Sequence, residues 1–179
     1  MKKILGILLV VFLVTGCNTL MNTPTKKVEY LLSKYQSNDE EVLKQLDETL
    51  LTDAILTTEQ KDRYRDIMKK QYNNLTYTVK NEAIDGKTAV VEVEIEVYDY
   101  AKAITDSENE LLNNSDSFKN STGEVDTTIY NDYKLSNLEG VTDRTKYTIN
   151  FTLSKAEEEW IVDDLTETER MKIHGLYAY

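Results

Sequence analysis

Apolar and polar positions along this chain change period several times, and each change marks a new kind of element. Val28, Leu31, Leu32 and Tyr35 fall at i, i+3, i+4 and i+7, the stripe of an amphipathic helix starting after Pro24. Asn38 with Glu41 three residues on reads as a capping box for a second helix, with Val42, Leu43, Leu46 and Leu50 inward. Thr57 with Gln60 repeats the signal for a third, with Tyr64, Ile67, Met68 and Tyr72 inward.

From Leu75 the period becomes two. Leu75, Tyr77 and Val79 alternate with threonines and Lys80, and after Asp85-Gly86 the alternation resumes. Ala89, Val91, Val93, Ile95 and Val97 take one face, and Glu92, Glu94 and Glu96 the other. A two-residue Asp-Gly loop would set Val79 against Glu92, mixing apolar and acidic side chains on one face. A three-residue loop keeps odd against odd, so the spacing predicts that loop, with Gly86 left-handed.

Residues 105–127 are polar, and helices are expected over about 99–114 and 124–138. Tyr147, Ile149, Phe151 and Leu153 then alternate as a strand. A turn through Lys155–Glu158 leads to a last strand over Trp160–Leu165, and the tail adds at most a short helical turn. Helices, hairpin, helical insert, hairpin is an α+β order. It predicts three N-terminal helices packed on a curved antiparallel sheet of about four strands, with the helical insert between the two hairpins.

The first seventeen residues, MKKILGILLVVFLVTGC, carry a basic start, an apolar run and small residues before a cysteine. That is the layout of a signal peptide, and the run is too short for a bilayer core, which needs about 20 apolar residues. Val14-Thr15-Gly16-Cys17 resembles the lipobox of bacterial lipoproteins. The resemblance implies cleavage between Gly16 and Cys17 and a diacylglyceryl group on Cys17. It divides the chain into a signal peptide (1–16), a lipidated tether (17–24) and one domain (25–179). Cys17 is the only cysteine in the chain, so no disulfide competes for it. Residues 18–23 span at most about 20 Å, which keeps the domain near the membrane face. Asn18 after the cysteine would, in a two-membrane cell, send the protein to the outer membrane, by the same resemblance.

Charge changes the list of partners. Without Lys2 and Lys3 the chain has 19 basic and 32 acidic residues, a net charge of about −13. Nucleic acid would be repelled. The membrane contact is therefore expected through the lipid on Cys17, with an envelope protein or a small ligand as the other partner.

Candidate chemistry is sparse. His174, the only histidine, is expected as an exposed tail residue, which leaves soft-metal sites and histidine-based triads little to build on. Glu92, Glu94 and Glu96 step about 7 Å apart and diverge, so a solvated sheet face is expected rather than a calcium site. Asp163 and Asp164 with Asp99 would be the acids of an enzyme. Tyr98 and Tyr100 are expected to pack under the insert rather than to stack on a glycan. No catalytic residue, metal site or cofactor is expected.

The final hairpin, Lys155 to Leu165, together with the order of elements over about 25–165, resembles the cone-shaped nuclear transport factor 2-like domains. The resemblance implies a curved sheet wrapped round a leading helix. The two extra helical segments between the hairpins depart from that pattern. The chain is thus expected to be a membrane-anchored extracytoplasmic lipoprotein acting as a non-catalytic binding or interaction module. The alternative is a cone-fold enzyme or small-ligand-binding protein with a pocket lined by Asp and Tyr.

Overall fold

The computed structural model describes residues 22–178. Gly16 and Cys17, with the whole signal segment, lie outside the described residues. Three helices come first: α1 (Pro24–Gln36), α2 (Glu40–Thr52) and α3 (Thr58–Asn73). The hairpin β1 (Thr76–Asp85) and β2 (Thr88–Tyr98) follows, then α4 (Tyr100–Asn113), a 3₁₀ turn (Ser115–Phe118) and α5 (Thr127–Glu139). The second hairpin, β3 (Arg144–Ala156) and β4 (Glu159–Val162), leads into α6 (Glu167–His174). The four strands form one antiparallel sheet in the order β1-β2-β3-β4. This is the expected α+β architecture.

The core lies between the sheet and the helices. Val91, Val93, Ile95 and Val97 of β2 and Tyr147, Ile149, Phe151 and Leu153 of β3 are buried. They meet Val28 and Leu32 of α1, Ile67 and Met68 of α3, and Ile173 of α6 in one apolar cluster. α1 lies across the inner face, touching β1, β2 and β4. Asn22 stitches the start of the domain to the second hairpin. Its amide donates to the Glu158 carbonyl at 2.8 Å, and its oxygen accepts the Trp160 N–H at 2.9 Å. The insert docks on α3 through polar contacts. Gln60 donates to Asp132 and to the Thr128 carbonyl, and Arg63 pairs with Asp132 and Glu139.

Three local expectations change. The first hairpin has a two-residue loop, Gly86-Lys87, with Asp85 opposite Thr88. Val79 nevertheless faces Val93, because a bulge at Lys80 adds one residue to β1 and restores the parity. Gly86 is left-handed, as expected, at φ +59°. The second helix is capped by Asp39, whose carboxylate accepts the Glu41 N–H at 3.0 Å. Asn38 cannot serve as that cap. An N-cap needs an extended backbone, and Asn38 is left-handed at φ +52° with its amide donating to Asn73. The last strand stops at Val162, short of the expected Leu165.

The tail beyond β4 is a full helix. Thr166 and Glu169 cap one another at its start, and left-handed Gly175 (φ +70°) ends it. Its seat is set by Gln71, which is fully buried on α3. The Gln71 side chain donates to the Tyr98 carbonyl at 3.1 Å and the His174 carbonyl at 2.8 Å, and accepts the Tyr98 N–H at 2.9 Å. A Cβ on Gly175 would fall 2.1 Å from the Tyr98 oxygen and 2.2 Å from the Gln71 amide nitrogen.

Gly175→Ala therefore has to break the Gln71 contacts as well as strain the backbone, and is expected to cost about 3 kcal/mol. Gly86→Ala keeps the same sign of φ but has nothing within 4 Å, and is expected to cost about 1 kcal/mol. Urea midpoints at constant slope measure both, and equal costs would contradict this account of the Gln71 junction.

Candidate functional site

Four helices contribute side chains to a partly open cavity of about 120 Å³. α1 supplies Tyr35. α2 supplies Val42, Gln45, Leu46, Thr49 and Leu50. α3 supplies Tyr64 and Tyr72, and α6 supplies Arg170 and His174. Each helix brings these residues for a local reason. Tyr35 continues the apolar stripe of α1, and Tyr64 and Tyr72 lie on the inner face of α3 two turns apart. Arg170 and His174 are i and i+4 on α6, so the two side chains share one side of that helix.

The floor is aromatic. Tyr35 and Tyr72 meet edge to face with ring centres 5.2 Å apart, and the Tyr72 and His174 rings lie 5.6 Å apart. The Tyr72 hydroxyl and His174 Nε2 are 3.0 Å apart. With the proton on Nδ1, Nε2 accepts the hydroxyl. His174 is thus packed against α3, and the expectation of an exposed tail residue is corrected. The reason is that α6 folds back and is clamped by Gln71.

Burial penalises charge here. Desolvation first, and then the positive charge of Arg170, push the His174 pKa down to about 4. Desolvation also holds the Tyr72 and Tyr64 phenols above their ordinary range. At Tyr35 burial raises the phenol and Arg170 opposes it, which places the guanidinium within electrostatic reach of that hydroxyl. The hydroxyls of Tyr35 and Tyr64 make no hydrogen bond among the described residues. Nor does the Arg170 side chain make an ion pair or hydrogen bond there, whereas Arg63, Arg65 and Arg144 each hold a carboxylate.

The other candidates are placed elsewhere. Tyr100 is buried, stacks on Tyr98 at 6.0 Å and donates to the Ile67 carbonyl of α3. Tyr98 lies between Lys70 and Arg144, so these aromatics pack against α3 and its neighbours. The acidic ladder is matched by cations: Lys80 and Lys146 on Glu94, and Arg144 on Glu96. Lys146 and Lys80 hold the Glu94 carboxyl below its usual range. Asp99 caps α4 beside Arg144, whereas the Asp163 N–H bonds to Thr152, eight residues further along β3. At about 3.3 Å per residue that separates them by roughly 26 Å, too far for a dyad. Among the described residues no group of three or more His, Cys, Asp or Glu side chains converges for a metal, and no helix is long and apolar enough to cross a membrane.

A wider, open cleft of about 480 Å³ between α4 and α5 is lined by Asp99, Lys102, Asp106, Tyr133 and Asp143 among others. Lys102 is already paired with Asp106 there.

The comparisons add little to this geometry. No protein-family model matches the chain, and no curated protein sequence matches it. A solved structure of a putative lipoprotein (ycdA) from Bacillus subtilis is similar over 89% of this chain at 13% identity, with a TM-score of 0.42. The chain spans 54% of the length of that protein.

The depressed His174 pKa sets a pH dependence. The unfolded chain takes up a proton near pH 6.5 and the folded chain only near 4, so stability falls as pH drops through that window. About 2 kcal/mol is expected to be lost from this group between pH 7 and pH 5. Chemical denaturation of the wild type and His174→Gln at both pH values measures it. The variant should lose that much less than the wild type, and an equal loss would refute the buried neutral ring.

Proposed function

We propose that this protein is a lipid-anchored extracytoplasmic binding module whose helical cavity holds a small molecule. The observation that carries the reading is the cavity bounded by Tyr35, Tyr64, Tyr72, His174 and Arg170. It is partly open, largely apolar, and supplied with a few polar groups that have no partner among the described residues, which is the composition of a ligand site. Anchoring rests on the resemblance of Val14-Thr15-Gly16-Cys17 to a lipobox, and a cone-shaped scaffold on the resemblance of the element order. Catalysis finds less support. The neutral His174 leans on a tyrosine whose phenol is held protonated, and the cavity lining contains no carboxylate to act with it.

Two arms test the proposal. Cys17→Ala is expected to move the chain from the detergent phase to the aqueous phase, and an unchanged partition would remove the anchor. A fragment library is then screened against the full chain by thermal unfolding and by the imidazole resonances of its single histidine. A ligand at ten times its Kd stabilises by about 1.4 kcal/mol, or roughly 3–6 °C here. At least one fragment is expected to raise the melting temperature and move the His174 signals together. A library in which no fragment moves His174 would contradict the binding reading.

A further inference from the structure

Resting on the reading of the cavity as a ligand site, we infer that its ligand is a small carboxylic acid with a compact apolar body, bound as the carboxylate by Arg170. Three observations converge on this class. The first is charge. Acidic residues outnumber basic ones 32 to 21 in this chain, yet among the described residues no Asp or Glu lines the cavity. The one charged side chain in the lining is Arg170, which is exposed and so sits where the cavity meets solvent. Elsewhere in the protein the arginines are occupied by acids. Here the guanidinium fork, whose geometry suits a carboxylate, is left open.

The second observation is the pattern of donors. Tyr35 is only 6% exposed, and its hydroxyl, which keeps contact with solvent, makes no hydrogen bond among the described residues. Tyr64 brings a second unpartnered hydroxyl to the same cavity. Both phenols are kept protonated by burial, with Arg170 pulling the other way at Tyr35. Apart from the Gln45 side-chain amide, which both donates and accepts, the open groups are O–H and N–H donors, and their complement is an acceptor carrying negative charge. The neutral His174 ring adds no second positive charge, which favours a monoanion over a phosphate dianion.

The third is size and surface. A cavity of about 120 Å³ is comparable to the roughly 150 Å³ apolar cavity known to admit benzene. Val42, Leu46 and Leu50 from α2 line it together with Tyr35 and Tyr72. One six-membered ring or a short branched chain fills that space, with its carboxylate at the Arg170 end. A long acyl chain does not fit.

Benzoate and its uncharged analogue benzyl alcohol are the probes, titrated into the full chain in detergent. Calorimetry reads affinity, and the His174 imidazole signals report occupancy of this cavity. Benzoate is expected to bind at least about tenfold more tightly than benzyl alcohol and to shift the His174 signals. Arg170→Gln, at an exposed position, should weaken benzoate about tenfold and leave benzyl alcohol unchanged. Tyr35→Phe keeps the ring and should weaken benzoate several-fold. If both probes move His174 with equal affinity, or if Arg170→Gln leaves benzoate binding intact, the carboxylate assignment is overturned while the cavity remains a ligand site. If neither probe moves His174 but other fragments do, the size and class are both wrong. If no fragment moves it, the cavity is no binding site, and the inference falls with the reading beneath it.

Discussion

Gln71 is the side chain on which the arrangement of this protein's functional end depends. It is a fully buried amide, and such a group is costly unless all its hydrogen bonds are made. It makes three, two to the backbone of Tyr98 and one to the backbone of His174. These tie the end of β2 and the end of α6 to the middle of α3. The seat is so close that only a residue without a Cβ can follow His174. Gly175 meets that demand and its left-handed conformation at once. From this junction the rest follows. α6 lies with Ile173 in the core, and His174 is brought to Tyr72. Arg170, one turn earlier, is held at the rim of the cavity.

Charge is distributed to the same end. The outward face of the sheet carries acids, but cations from β1 and β3 neutralise much of it at Glu94 and Glu96. The α3–α5 contact is likewise polar and matched. An acidic chain that satisfies three arginines with acids leaves the fourth beside two phenols that have no hydrogen-bond partner among the described residues, at one small apolar space. That juxtaposition, rather than any one residue, separates the cavity from the open cleft between α4 and α5. In the cleft Lys102 already holds Asp106.

How much of this was legible in the sequence differed by the range of the interactions involved. Strict alternation in β2 and β3 is a local pattern with one solution, and both strands appear as expected with their odd faces buried. The Thr57–Gln60 box likewise marks α3. Parity correctly required Val79 to face Val93, but a longer loop and a bulge satisfy parity equally. Only the structure shows the extra residue at Lys80. Asn38 and Asp39 are adjacent cap formers, and the contact of Asn38 with Asn73 across the helices decides between them. α6 did carry a local signature, Thr166 before it, Glu169 in its first turn and Gly175 after it, that supports a whole helix rather than a turn. The cavity left no such trace. Its residues come from four separate helices, and those of α6 are brought to the others by Gln71, a contact between α3 and a residue 103 positions away.

The most direct test of this account is the titration of the His174 ring by NMR, unambiguous because the chain has one histidine. In the folded wild type the ring is predicted to stay neutral down to about pH 4. In Gln71→Leu, with the clamp on α6 released, its midpoint should rise toward the ordinary value near 6.5. A wild-type ring that titrates near 6.5 while the fold is intact would mean that α6 does not hold His174 against Tyr72, and the cavity built on that contact would not exist as described.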